Sequence, residues 1–413
     1  MTDQNRIRGE DPRQAPYTYI ELFDDSPVEN LCASLLQPPA KLVVVAGGDQ
    51  NAGLFLDAYQ AVMKARGFDV PAEIAETDRN DYRAVAETIE SVIRNEGRAG
   101  RGCALDLTGG DDLSLFAAGT VFASHPELQL HRYNVESGQI LNPDGDAAGL
   151  DDEHLSPLGV GEFVRLCTGF LPDMDMQVRN PGSIPADFGA LTRTAWEQCR
   201  KRGFWNEAAA ALAAGEKLGR WERHISFWQA KGWVTSWDSE TGTVAFADRH
   251  RQDLLTRSGL ALEWKTFLTV KALCAPADGT GKPVYSDAAQ SVVIYAGRDA
   301  RGIPEENEIR NEIDVMAMDG LMPILISCKN GGFQSGELYK LNSVSDALGV
   351  KEIKKVVLST RPITRDMGNR AKELGVVMRC VGNWEDEDWT REIRALKEAF
   401  PGDEAAEAAV IQS

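Results

Sequence analysis

The chain has 413 residues, 43% of them hydrophobic and 26% charged, with a formal net charge of −19. That balance belongs to a globular protein with two or three cores and excludes fibrous and disordered classes. No apolar run approaches the roughly 18 to 20 residues that a membrane span needs, and the polar amino terminus reads as lacking a secretory leader, so a cytoplasmic protein is expected.

From about residue 17 to 135 short apolar runs alternate with helix-length amphipathic stretches. TYIELF (18–23) predicts a strand, and the next segment predicts a helix with Ser26 as N-cap, Pro27 in its first turn and Glu29 at capping-box spacing. KLVVVAGG (41–48) is a β-branched run closed by two glycines, the pattern of a buried parallel strand. A helix ending at Gly67, a weak strand at 70–75 and a helix from about Tyr82 to Asn95 follow. CALDL (103–107), the loop 108–112, a helix over 113–124 and a strand near 128–135 complete the series. This alternation predicts an α/β fold with a Rossmann-like, doubly wound parallel sheet.

Ligands of such sheets sit outside the carboxyl ends of the strands. Here those ends carry Asp24-Asp25-Ser26, Gly47-Gly48-Asp49-Gln50-Asn51 and Thr108-Gly109-Gly110-Asp111-Asp112. None is a dinucleotide or P-loop motif, and the aspartates would repel a pyrophosphate unless they bind sugar or base. TGGDD reads equally as a glycine turn with aspartate caps.

Residues 137–160 are rich in Gly, Asp and Pro and read as a linker. Two or three short helices are expected over 187–232, then a hairpin in KGWVTSWDSETGTVAFAD, a winged-helix-like arrangement. Six tryptophans fall within 196–237 (Trp196, Trp205, Trp221, Trp228, Trp233, Trp237). They form either the core of a small helical domain, the commoner case, or a surface that stacks on bases. The seven cysteines show no CxxC spacing and the five histidines no HxxxH or HxH pair, which argues against a disulfide framework and a zinc site.

Charge is unevenly placed. Residues 1–150 carry 12 Lys and Arg against 24 Asp and Glu, whereas 320–380 carry 10 against 5. A basic segment in an acidic chain marks a polyanion partner or a solvated helix end. Within it, 312–316 and PILISCKN (323–330) read as two strands joined at Gly320. Period-two alternation puts Ser327 and Lys329 on one face and turns Cys328 into the core. Asp314 on the partner strand, with Glu312 on the same face, then completes the carboxylate-plus-lysine pattern of a metal-dependent phosphodiesterase; taken singly, such a pair is more often an ordinary strand-end acid and a surface lysine.

The spacing D-x(12)-S-C-K resembles the PD-(D/E)XK nuclease motif. NEIDVMAMDGLMPILISCKNG, with LDLTGGDDL upstream, resembles the CRISPR-associated (type III) nucleases that join a CARF sensor domain to that nuclease fold. The resemblance covers about 17–135 and 255–382. It implies a homodimer that binds a cyclic oligoadenylate, expected to be the tetra-adenylate, and is thereby activated to cleave single-stranded RNA or DNA or to nick duplex DNA. It also implies Mg²⁺ or Mn²⁺, held by Asp314, Glu263, the Cys328 carbonyl and Glu337, with Lys329 catalytic. Ser327 stands where the family has Asp or Glu, and Glu337 is placed to substitute for it. Ser26, Gly48, Asp49, Gln50, Thr108, Gly109, Gly110 and Asp111 fall in the expected ligand loops.

The division expected is a sensor domain over 1–136, a linker over 137–160, a small helical, winged-helix-like domain over 161–254, a nuclease domain over 255–400 and a tail over 401–413. Two other readings stand beside it: a CARF-type DNA-binding regulator with a decayed nuclease half, and a restriction- or repair-type endonuclease that needs no activator.

Overall fold

The β-branched runs of the first 140 residues assemble into one six-stranded sheet. The protein is seen in a computed structural model that describes residues 15–24, 26, 28–48, 52–134, 139–142, 157–168, 187–202, 222–238, 240–276, 281–294, 311–350 and 353–399. The strands are β1 (Ala15–Leu22), β2 (Pro39–Gly47), β3 (Ala72–Thr77), β4 (Cys103–Asp106), β5 (Gln129–Asn134) and β6 (Gln139–Leu141). Their order is β3-β2-β1-β4-β5-β6, with β1 to β5 parallel and β6 antiparallel to β5. The helices α1 (Cys32–Leu36), α2 (Ala52–Ala65), α3 (Tyr82–Arg98) and α4 (Asp112–Ser124) are the crossovers.

Alternation along the strands builds two apolar layers. Tyr19, Leu42 and Val44 pack with α1 and α2, while Ile20, Val43 and Val45 pack with α3 and α4. This is the doubly wound α/β arrangement expected from the sequence. The capping box expected at Ser26 does not form. The chain enters α1 through a 3-10 turn at Glu29–Leu31 with no side-chain cap, and the Ser26 amide donates to the Asp24 carboxylate at 2.7 Å instead.

The second half contains α5 (Val160–Thr168), α6 (Phe188–Arg202), α7 (Glu222–Ala230), the hairpin β7 (Val234–Trp237) and β8 (Val244–Phe246), α8 (Arg249–Thr256) and α9 (Ser258–Leu273). A second sheet follows: β9 (Asp287–Ile294), β10 (Asn311–Asp319), β11 (Met322–Lys329), β12 (Lys354–Ser359) and β13 (Val376–Cys380). Its order is β13-β12-β11-β10-β9, antiparallel from β9 to β11 and parallel from β11 to β13. Helices α10 (Gly336–Leu348), α11 (Arg365–Glu373) and α12 (Asp386–Ala395) complete it.

The tryptophan-rich segment packs as core. Trp196, Trp228 and Trp233 are buried in one cluster with Trp264, Trp389, Val315 and Ile326, so the α6–α7 region shares its core with the second sheet. Trp196 meets Trp389 edge-on, with centroids 5.2 Å apart. Trp205, Trp221 and the 401–413 tail lie outside the described residues.

The segment 157–162 and α5 bind the two sheets together. Arg66, at the carboxyl end of α2, donates Nε to Glu162 Oε1 at 2.8 Å and Nη2 to Glu162 Oε2 at 2.6 Å, and Nη2 also reaches the Pro157 carbonyl at 2.8 Å. On the other side, the Leu158 amide donates to the Gly320 carbonyl at 3.1 Å and the Val160 amide to the Asp287 carboxylate at 3.0 Å. Phe163 and Val164 carry one apolar core from α2 into Met316, Leu338 and Leu341. Among the described residues no helix is long and apolar enough to cross a membrane, and Cys32, Cys103, Cys167, Cys274, Cys328 and Cys380 are free thiols.

Candidate active site

Antiparallel pairing of β10 with β11 aligns Val315 with Ile326, which sets Asp314 opposite Ser327 one residue further on. The Ser327 hydroxyl donates to Asp314 Oδ2 at 3.2 Å, and the Cys328 amide donates to the same oxygen at 2.6 Å. Lys329 Nζ lies 4.0 Å from that oxygen and 2.9 Å from Glu337 Oε2. Glu337 comes from the first turn of α10, where a carboxylate also favours the helix dipole. Burial alone would lower the Lys329 pKa, but Asp314 and Glu337 outweigh it and hold the ammonium above its ordinary value.

Glu263 stands on α9, the helix preceding β9. Its carboxyl is pushed up to about 8, first by burial, then by the Asp314 and Glu312 carboxylates, with Lys329 and Arg257 pulling the other way. Glu312 itself is exposed. Cys328 points away into the core, as the alternation predicts: its thiol donates to Thr266 Oγ1 at 3.5 Å and its pKa is far above the usual value through burial.

The structure therefore brings Asp314, Ser327, Lys329 and Glu337 into one bonded cluster and sets Glu263 within electrostatic reach of it. Among the described residues no three His, Cys, Asp or Glu side chains converge as a ready-made metal cage. Glu337 is turned onto Lys329. In donor chemistry the set fits a hard divalent cation: the carboxylates and a main-chain carbonyl would supply oxygen ligands, and a cation there would offset both the burial that chiefly raises Glu263 and the smaller repulsion from Asp314 and Glu312.

At the first sheet the loop after β4 and the turn around Asp24 are bonded inward. The Thr108 hydroxyl donates to Asp106 Oδ1 at 2.5 Å and accepts from the Tyr133 amide at 2.7 Å. Asp111 caps α4 by accepting from the Ser114 amide at 2.8 Å. A Cβ at Gly109 would overlap the Asn30 side chain and lie 2.8 Å from the Leu22 carbonyl oxygen, so only glycine lets the loop pass there. Asn30 in turn ties both the amide and the carbonyl of Asp24, each at 3.0 Å. Ser26 is buried, Gly48 is exposed and Gly110 is half-buried with φ +92°, while Asp49 and Gln50 lie outside the described residues.

Sequence reasoning passed over the acids beneath this loop. Asp106 is pushed up to about 6 by burial, against its Thr108 bonds, and the buried Glu21 is held far above its usual range by burial and by Asp106. The signal present was an acid inside each of two apolar runs, Glu21 in TYIELF and Asp106 in CALDL.

No family model matches the chain, and no curated protein matches it. Solved structures share its fold. One is the protein VC1899 from Vibrio cholerae, with TM-score 0.62 and 18% identity over 92% of this chain and 96% of that one. Another is Can2 from Sulfobacillus thermosulfidooxidans in complex with cyclic tetra-adenylate, with TM-score 0.62 and 15% identity over 92% and 98%. A type III CRISPR defence DNA nuclease activated by cyclic oligoadenylate gives TM-score 0.50 and 18% identity over 85% of this chain and 46% of that one. The two-sheet α/β architecture of this chain is thus shared with these solved structures.

Proposed function

We propose that the protein is a cyclic-oligoadenylate-activated nuclease of type III CRISPR antiviral defence, cytoplasmic and working as a homodimer. The observation that carries this reading is Lys329 held charged beside Asp314 on the β10–β11 hairpin, within a chain whose fold follows the tetra-adenylate complex of Can2 over 92% of its length. The activator occupies the carboxyl face of the first sheet, where Gly48 follows β2 and the loop 108–111 follows β4, with Asp49 and Gln50 next to Gly48 in sequence.

The site suits phosphodiester hydrolysis of single-stranded RNA or DNA, or nicking of duplex DNA. Asp314, Glu263 and the Cys328 carbonyl would hold Mg²⁺ or Mn²⁺, with Glu337 as the carboxylate that replaces the acid missing at Ser327. When bound, the cation supplies Lewis-acid stabilisation of phosphoryl charge. Lys329 orients the attacking water and offsets the charge that grows on the phosphoryl oxygens. The Ser327 hydroxyl and the Cys328 amide fix the Asp314 carboxylate by two hydrogen bonds, so its position is set before substrate arrives.

Ser327 also favours a second reading, a sensor whose nuclease half has decayed, because it gives Asp314 a hydroxyl donor where an acid would add a ligand. Asp314→Ala and Lys329→Ala separate the two. The nuclease reading expects each to slow activator-stimulated cleavage at least about a hundredfold while activator affinity by calorimetry stays unchanged. Wild-type rates in either variant would remove these residues from the mechanism.

A further inference from the structure

Lys329 closes β11 and Glu337 stands in the first turn of α10, so the seven residues between them decide how the two side chains meet. That segment is pinned at its start by one residue from the neighbouring strand. The Thr360 hydroxyl accepts from the Gly331 amide at 2.9 Å and donates to Asn330 Oδ1 at 3.0 Å. The Thr360 amide donates to the Lys329 carbonyl at 3.0 Å, one residue beyond the Lys329–Ser359 pairing that ends the β11–β12 ladder. Gly331 has φ +116°, a backbone conformation L side chains rarely adopt, so the chain turns sharply at the point the hydroxyl holds.

Thr360 is itself braced. The Ser359 side chain accepts from the Arg361 amide at 3.1 Å and donates to the Arg361 carbonyl at 3.0 Å, and the Ser359 carbonyl accepts from the Val381 amide at 2.8 Å beyond the end of β13. A rigid corner at the end of β12 thus grips the exit of the strand that carries the lysine.

We propose that Thr360 is a positioning residue for the Lys329–Glu337 pair, acting through its hydroxyl on the Asn330–Gly331 turn and so setting where Glu337 falls against the lysine. This rests on the reading above that Lys329 works at the cleavage site. Groups that orient a catalytic side chain from behind are typically worth 10- to 100-fold in activity, because displacements of about an ångström misalign the reacting atoms.

The test uses the full chain with Thr360→Val, which keeps the shape and removes the hydroxyl, and Thr360→Ser, which keeps the hydroxyl. Two quantities are read: amide hydrogen exchange across 330–336, and single-turnover cleavage with saturating activator and varied substrate. Thr360→Val is expected to exchange faster in that segment and to slow the chemical step about 10- to 100-fold, with KM and activator affinity within about threefold of wild type. Thr360→Ser is expected near wild type in both. Unchanged exchange in Thr360→Val, a wild-type rate in that variant, or equal loss in Val and Ser would each overturn the proposal. If Lys329→Ala cleaves normally in the same assay, the cleavage-site reading fails instead, and the exchange data still decide whether Thr360 holds the turn.

Discussion

Replacing Glu162 with Gln tests whether the two sheets behave as one body. Glu162 meets Arg66 through two charge-assisted bonds of 2.8 and 2.6 Å and also accepts from the Gly159 amide at 2.9 Å. Arg66 is only 9% exposed at its side chain, so the variant leaves a nearly buried guanidinium facing a neutral amide. Hydrogen bonds to charged groups contribute about 1.5–3 kcal/mol each, and stranding a buried charge costs about 3–5 kcal/mol. With Glu162 itself 28% exposed, a loss of about 3 kcal/mol is the reasonable figure. All nine tryptophans lie at or beyond residue 196, so intrinsic fluorescence reports only on the second half, while far-UV circular dichroism reports on both.

Because α5 carries one apolar core from α2 into the second sheet, urea unfolding should give coincident transitions by the two probes in wild type. Glu162→Gln should lower both midpoints together by up to about 1 M, taking a slope near the upper end of the usual 1–3 kcal/mol per molar urea. A shift seen by circular dichroism alone, or a fluorescence midpoint moved by less than about 0.2 M, would refute the claim that this contact unites the sheets.

Three further outcomes follow from the structure. Burial alone would raise the Glu96 pKa, but Arg101, Lys41 and the Thr18 hydroxyl hold the carboxyl down to about 2. A depressed acid stabilises the fold above its unfolded value near 4.5 and loses that contribution as pH falls toward 2, so Glu96→Gln should cost about 3 kcal/mol at pH 7 and only about 1 kcal/mol at pH 3. Equal costs by urea unfolding at the two pH values would contradict this. Gly109→Ala should abolish activator binding by calorimetry and cost about 1–3 kcal/mol, since its Cβ would overlap Asn30; normal binding would take the loop out of the ligand site. Glu337→Gln should slow cleavage nearly as much as Lys329→Ala, and a fully active variant would show that its 2.9 Å contact with Lys329 has no catalytic part.

Strands β1 to β5 and the β10–β11 hairpin were legible because their signals are local, apolar runs such as 42–45 and 323–328, whereas β9, β12 and β13 were not read and β6 lies in the stretch read as linker. Period-two alternation places Ser327 and Lys329 on one face and buries Cys328, as found. What escaped the sequence is what depends on distant partners. Thr360 lies 31 residues from Lys329 and reaches it only because β11 and β12 pair in parallel. The contacts of Arg66 with Glu162 join residues 96 apart, the second of them just past the stretch 137–160 whose composition spells linker. Tryptophan density announced a core but not that Trp196 would pack on Trp389 and so belong to the second sheet. The capping box at Ser26 failed because Asp24 and Asn30 organise that turn through their own side chains.

The central claim is tested most directly by cleavage of labelled single-stranded RNA, single-stranded DNA and supercoiled plasmid with Mg²⁺ or Mn²⁺, each without activator, with cyclic tetra-adenylate and with cyclic hexa-adenylate. A gated nuclease predicts near silence without activator and cleavage with one ring, expected to be the tetra-adenylate. Cleavage independent of either ring would contradict the gate, and silence in every lane despite tight ring binding would contradict the nuclease.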